Sequence, residues 1–233
     1  MNNSNLSLDT CDRRIYSNDG NIPLIDLVSV PVLRVLDVGC GAGDNAMLIK
    51  QCYPEAQVIG ITVSSAEAKK AESVLHACWV CDIEADLPAY LQQARFDTLI
   101  FSHVLEHLKN PAAVMGRFLK LLQPGGQIVI AVPNVLNWRT RLQFMAGRFE
   151  YESAGILDDT HLRFFTYFTA DRYLLADSPE LRVVHKSVTG SVPLWWLRRY
   201  LFPVSWSKAI DRIGSRIWPN LFGAQVLIKA VKI

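Results

Sequence analysis

The stretch VLDVGCGAGD, residues 35–44, closes a short apolar run with three glycines at alternate positions and places Asp37 just before the first. A strand that ends in such a turn and leads into a helix N-terminus gathers backbone N–H groups around a ligand at the edge of a sheet. Glycine lets the backbone come close to that ligand with no Cβ in the way. The plain alternative, a tight strand-to-helix turn that binds nothing, rarely needs three glycines. A dinucleotide pyrophosphate is held by G-x-G-x-x-G. Gly39, Gly41 and Gly43 are spaced G-x-G-x-G instead, and Asp37 would repel a phosphate. An acid at this place suits a ligand that carries a cationic amine.

Downstream of the turn, short apolar runs alternate with segments of helical spacing, the pattern of a parallel sheet with crossover helices. VLRVLDV, QVIGITV, HACWVCD, FDTLIFSHV and QIVIAVPN read as five strands, with LRVVHKSV and AQVLIKAVKI as two more. Helices are expected from about Asp44 to Cys52, over SSAEAKKAESVL with Ser64 and Glu67 as a capping box, and over AAVMGRFLKLL, stopped by PGG. NVLNWRTRLQFMAGRF and TADRYLLADS are expected to be helical too, separated by the irregular loop GRFEYESAGILDDTHLRFF. The fold class is therefore α/β: a Rossmann-like, doubly wound, mostly parallel seven-stranded sheet. Residues 1–31 read as an N-terminal extension and 32–233 as the domain, with a basic aromatic insertion at about 190–219.

A chain of 233 residues with half its residues hydrophobic and a net charge of +2 forms a sizeable core and carries no broad basic face, which argues against a duplex nucleic acid partner. Five cysteines without framework spacing fit a reducing cytoplasm better than a disulfide-stapled fold. The polar beginning MNNSNLSLDTCDRR does not read as a signal peptide, and no apolar run approaches the roughly 20 residues of a membrane span.

LDVGCGAG resembles the first motif of class I S-adenosylmethionine-dependent methyltransferases. VIGITVS, CDIEADLP, FDTLIFSHVLEHLKNP and LLQPGGQIVIAVPN resemble the segments that follow it, in order, over residues 32–134. GRFEYESAGILDDTHLRFFT resembles a segment of the methyltransferase 23-like and 11-like small-molecule enzymes. The resemblance implies an antiparallel last strand and S-adenosylmethionine as cofactor. It assigns cofactor contacts to Asp37, Gly39, Cys40, Gly41, Gly43, Thr62, Asp82, Ile83, Ser102 and His103. The family places Asp or Glu at the end of the second strand to bind both ribose hydroxyls, and Thr62 stands there instead, as in the cyclopropane-synthase-like branch.

A sulfonium methyl donor is already activated, so the protein's main task is to orient the acceptor. Deprotonation of a hydroxyl acceptor adds about 10²–10⁴-fold. His161 in the loop after the fifth strand is the candidate base, oriented by Asp158 or Asp159; the other reading is that His161 and Arg163 merely tie the loop down. No metal is expected, because SHVLEHL lacks H-E-x-x-H. Cys78 and Cys81 point to opposite faces of a strand and read as core. The expected acceptor is a small molecule, a sugar, a glycan or lipid-linked precursor, or a quinone-like ring. The segment 192–219, rich in tryptophan and arginine, could lie on a membrane surface, form a homodimer contact or pack on the sheet. A non-catalytic cofactor-binding module and a nicotinamide oxidoreductase are the alternatives to an enzyme of this class.

Overall fold

The computed structural model describes residues 19–85 and 87–233, apart from the side chains of Trp196 and Arg199. Strands β1 (Arg34–Val38), β2 (Gln57–Thr62), β3 (Ala77–Val80), β4 (Phe96–Ser102), β5 (Leu122–Pro133), β6 (Leu181–Gly190) and β7 (Gly223–Lys232) form one sheet in the order β3-β2-β1-β4-β5-β7-β6. The first five run parallel, and β7 lies antiparallel between β5 and β6. The expected class is observed, with the strand order reversing between β1 and β4. Ligands of open α/β sheets bind at the carboxyl ends of strands at such a point.

The four residues of β1 from Val35 to Val38 are buried, since helices cover both faces of the parallel strands. On one face Leu36, Val38, Phe101 and Ile130 pack with Val114, Met115 and Phe118 of the helix Pro111–Leu119. Phe101 and Phe118 meet edge to face at 5.5 Å. Burying one such ring contributes about 1.5–3 kcal/mol. That helix starts on Asn110, whose Oδ1 accepts from the Ala113 N–H at 3.2 Å, with Pro111 at its first position. On the other face Val35, Val58 and Val129 pack with Ala46 and Ile49 of α1 (Asp44–Cys52) and with Ala71 of α2 (Ser65–Ala71).

Several boundaries differ from expectation. β5 begins at Leu122 rather than Gln127, because Pro124, Gly125 and Gly126 kink the strand instead of ending a helix; Phe96 pairs with Leu122, but Thr98 pairs with Gln127. Residues 19–31, set apart by the sequence reading, pack on the domain by sending Leu24, Ile25 and Val28 into the second cluster. Residues 1–18 of that extension lie outside the described residues. The segment after β6 folds into the helices Trp195–Leu201 and Val204–Ile217. They are joined by Arg198, which donates to Asp211 at 2.7 Å, while Gly214 packs on Val192 and Phe222. Tyr200, Leu201, Trp206, Ile213 and Trp218 remain exposed. Among the described residues no helix is long and apolar enough to cross a membrane.

Candidate active site

Gly39, Gly41 and Gly43 all adopt positive φ, at 75°, 51° and 93°. The N–H groups of Gly39 and Cys40 donate to the Ile61 carbonyl at 2.8 and 2.9 Å, which fixes the turn to the end of β2. A Cβ on Gly39 would meet Val104 Cγ2 at 2.2 Å, so the turn lies directly against the segment after β4. Cys40 is buried with its sulfur 3.7 Å from that of Cys78, and Gly60 leaves room for it: a Cβ there would meet the Cys40 sulfur at 2.6 Å. Cys78 and Cys81 pack toward opposite faces, as the alternation of a strand requires.

Asp37 is fully buried beneath this turn, and neither carboxylate oxygen has a hydrogen-bond partner among the described residues. Burial pushes its pKa from 3.8 up to about 7; the side-chain amide of Asn45 opposes the rise, and the Asp44 charge adds to it. A buried carboxylate with no partner costs folding free energy. The group it lacks is a cationic donor, which is what the amino acid end of an aminoacyl nucleoside offers. The carboxylate therefore fits that cofactor and opposes a diphosphate.

At the end of β2 the hydroxyl of Thr62, itself buried, donates to Glu67 Oε2 at 2.7 Å and accepts from the Ser64 N–H at 3.2 Å. Ser64 Oγ accepts from the Glu67 N–H at 3.3 Å, which starts α2. In the expected capping box the glutamate side chain reaches the capping residue's own N–H. Here the Glu67 carboxylate is bonded to Thr62, so an acid from α2 stands at the end of β2.

After β3, Asp82 is exposed and its Oδ1 accepts from the Glu84 N–H at 2.8 Å, while Ile83 is buried and its carbonyl accepts from Arg117 at 2.6 Å. Glu84 in turn accepts from the N–H groups of Lys109 and Asn110. The loops after β3 and β4 are thus pinned together. After β4, His103 sits at φ 54° with its ring half exposed. Its Nδ1 faces Glu106 Oε1 at 3.2 Å and its Nε2 faces Gln225 Oε1 at 2.8 Å. Burial opposes a proton on His103, but Glu106 and Gln225 outweigh it and hold the pKa above the ordinary value. Asn21 lies over this end of the sheet: its N–H donates to Asn45 Oδ1 at 2.9 Å, and its side chain donates to Gln225 at 2.9 Å and to Ser102 Oγ at 3.4 Å.

The loop that carries His161 is anchored by the N–H groups of Leu162 and Arg163, both donating to the Glu106 carbonyl. His161 is 8% exposed. Asp158 does not hold the His161 ring, contrary to expectation: its Oδ1 accepts from the N–H and hydroxyl of Thr160, whereas His161 Nδ1 meets the Ile156 carbonyl at 3.0 Å. Burial works against the Asp158 charge, but the two Thr160 donors outweigh it and keep the carboxyl below its ordinary pKa. The other ring nitrogen of His161 faces Glu106 Oε1 at 3.9 Å. Asn21, Asn45, Glu67, Glu106 and Gln225 were absent from the residues expected at the site. The only sequence signals for them were the capping pattern at Glu67 and the position of Glu106 after β4.

A family of methyltransferase domains has a model that matches residues 13–174. Trans-aconitate 2-methyltransferase from Azoarcus sp. (strain BH72) is 30% identical over 113 residues, a stretch that covers 48% of this chain and 42% of that protein. The chain thus spans less than half the length of that relative. A SAM-dependent methyltransferase from Archaeoglobus fulgidus superposes with a TM-score of 0.58 at 20% identity, covering 91% of this chain and 89% of the other. The cyclase SpnF superposes with a TM-score of 0.57 at 20% identity, covering 97% and 90%.

Proposed function

The chain belongs to the family of methyltransferase domains, and on that premise we propose that it transfers a methyl group from S-adenosylmethionine to a carboxylate oxygen of a small organic acid. The observation that carries the cofactor assignment is Asp37, a buried carboxylate without a hydrogen-bond partner among the described residues, beneath a glycine turn of positive φ. S-adenosylmethionine, when bound, supplies a methyl group activated by the sulfonium charge. Asp37 accepts the hydrogen bonds of the aminoacyl ammonium, and the turn of Gly39, Cys40, Gly41 and Gly43 lets the backbone pass beside it. Asp82 and Ile83 line the adenine end, and Ser102 and His103 close the side toward the acceptor.

The choice of a carboxylate acceptor rests on the side chains at the crevice. Both ring nitrogens of His103 are engaged, by Glu106 and Gln225, and His161 is buried behind them. His103 has no unengaged ring nitrogen, and the lone pair of buried His161 Nε2 faces Glu106 rather than an acceptor hydroxyl. A carboxylate is already ionised at pH 7 and needs no base, so orientation alone, worth up to about 7–11 kcal/mol, carries the rate. The relative from Azoarcus is named for such an acid. His161 and Asp158 then hold the loop and abstract no proton. The test is a radiolabelled-methyl screen of trans-aconitate and other small polycarboxylic acids beside nucleotide sugars, glycans and quinol precursors. Label should appear on the acids as an ester that alkali releases as methanol. Label confined to hydroxyl acceptors overturns the carboxylate assignment.

Glu67 is the proposed ribose ligand, with Thr62 as the residue that positions it. Glu67→Gln should weaken S-adenosylhomocysteine about tenfold, the difference between a charged and a neutral hydrogen bond. It should also abolish the preference for the ribose form over a 2′-deoxy analogue, as read by calorimetry. An unchanged preference refutes the assignment.

A second reading, a module that binds the cofactor without methyl transfer, draws on SpnF, a cyclase with the same fold. Tight binding of S-adenosylhomocysteine with no label on any acceptor would favour it.

A further inference from the structure

Glu106, His107 and His161 come together from two separate parts of the chain, and each offers one ligand atom within 4.8 Å of the other two. Glu106 is buried, with its side chain 1% exposed, and its Oε2 has no hydrogen-bond partner among the described residues. Its Oε1 is occupied by His103. The two imidazole rings stand edge to face with centroids 4.7 Å apart.

The surroundings fix which nitrogen of each ring is free. His161 Nδ1 lies 3.0 Å from the Ile156 carbonyl, an acceptor only, so Nδ1 carries the proton and Nε2 keeps its lone pair. The Thr160 hydroxyl donates to Asp158 and the Thr160 carbonyl can only accept, so His107 Nδ1, near both at 2.9 and 3.3 Å, is the donor to them. His107 Nε2 is then free as well. Metal-binding histidines are held in this way, with the far N–H given to a carbonyl or a hydrogen-bonded oxygen.

We propose that Glu106, His107 and His161 form a binding site for a borderline divalent transition-metal ion such as zinc, which clamps the loop of residues 150–165 to the carboxyl end of β4. Two imidazoles and one carboxylate suit zinc or iron rather than magnesium or calcium. Bonds of about 2.0–2.2 Å around zinc require donor atoms roughly 3.3 Å apart. The cluster must therefore contract by up to about 1.5 Å from its 4.8 Å limit, and half-buried His107 is the ligand with most room to move. Three protein ligands leave at least one position open on that side. The expectation of no metal considered only spacing within SHVLEHL. It could not include His161, which lies 54 residues from His107 along the chain.

The site is tested by metal binding alone, without a methyl-transfer readout. The chain is stripped with chelator and titrated with zinc in a calorimeter. One equivalent should bind per chain, and a hundredfold excess over the dissociation constant should raise the melting midpoint by roughly 5–10 °C. Cobalt in place of zinc should give a visible spectrum of nitrogen and oxygen ligands. His107→Gln, at a half-buried ring, should weaken zinc by at least about 100-fold with an unchanged circular dichroism spectrum. His161→Gln should do the same, and if that variant fails to fold His107→Gln decides alone. The proposal is overturned by three results: no stoichiometric zinc, zinc binding that survives His107→Gln, or thiolate charge-transfer bands that place the ion on the Cys40 and Cys78 sulfurs.

Discussion

Asp37→Asn is expected to act in opposite directions on the empty and the liganded protein. Above pH 7 the ionised carboxylate is buried with no hydrogen-bond partner among the described residues. A native pKa of about 7 against 3.8 unfolded corresponds to a penalty on the order of 4 kcal/mol above pH 7. The amide removes the charge and nearly preserves the shape, so the empty protein should melt at a higher temperature. The same substitution takes away the charged acceptor for the cofactor's ammonium, a hydrogen bond worth about 1.5–3 kcal/mol. The affinity for S-adenosylhomocysteine should fall by one to two orders of magnitude. A variant that is less stable when empty, or that keeps its affinity, contradicts the assignment of Asp37.

The sign of the pH dependence follows from the direction of the shift. Below about pH 4 the carboxyl is protonated in both folded and unfolded chains. Between about pH 4 and 7 the unfolded chain loses its proton while the folded chain keeps it, so this group lowers stability as pH rises and levels off above 7. Binding of the ammonium requires the anion. Affinity should therefore rise by about tenfold per unit up to pH 7 and then flatten, while Asp37→Asn should show neither slope.

Much of this site was legible because its signals are local. The turn after β1 writes its conformation into adjacent residues: three positive φ angles demand Gly39, Gly41 and Gly43, and the acid beside them is two positions away. The seven strands were legible too, as apolar runs set apart by segments of helical spacing. The remainder depends on pairings that no short window contains. His103 meets Gln225, 122 residues on, and Asn21 bridges Ser102 and Gln225 from the other end of the chain. Thr62 looked like a direct ribose ligand because the strand alone cannot show that its hydroxyl is taken by Glu67. His161 looked like a base oriented by Asp158 because sequence proximity hides where each side chain turns. Thr160, between them, captures Asp158 and leaves the ring to a carbonyl. The PGG stretch reads as a helix stop on composition, yet the sheet absorbs it as a kink, since the ladder with β4 resumes beyond it.

Gly39→Ala is expected to cost about 2–5 kcal/mol of stability, and Gly125→Ala supplies the control that divides the loss. Both glycines have φ of 75°. At Gly125 no atom lies within 4 Å of an added Cβ, so alanine there reports the backbone strain alone, about 1–2 kcal/mol. At Gly39 the Cβ would stand 2.2 Å from Val104 Cγ2 and 3.1 Å from its Cβ, which adds overpacking of about 1–3 kcal/mol. Val104 precedes the short turn Leu105–His107, so its displacement also moves Glu106 and His103. Gly39→Ala should consequently weaken S-adenosylhomocysteine as well as the fold, whereas Gly125→Ala should leave binding unchanged. Combining Gly39→Ala with Val104→Ala removes the 2.2 Å collision with Cγ2 but leaves the 3.1 Å contact with Cβ and the backbone strain. In a double-mutant cycle read by urea unfolding, the two changes should show a favourable coupling of about 1–3 kcal/mol. Equal losses at the two glycines, or no coupling with Val104, would mean that the turn needs glycine for its angles alone and that the contact between the ends of β1 and β4 does not define the site.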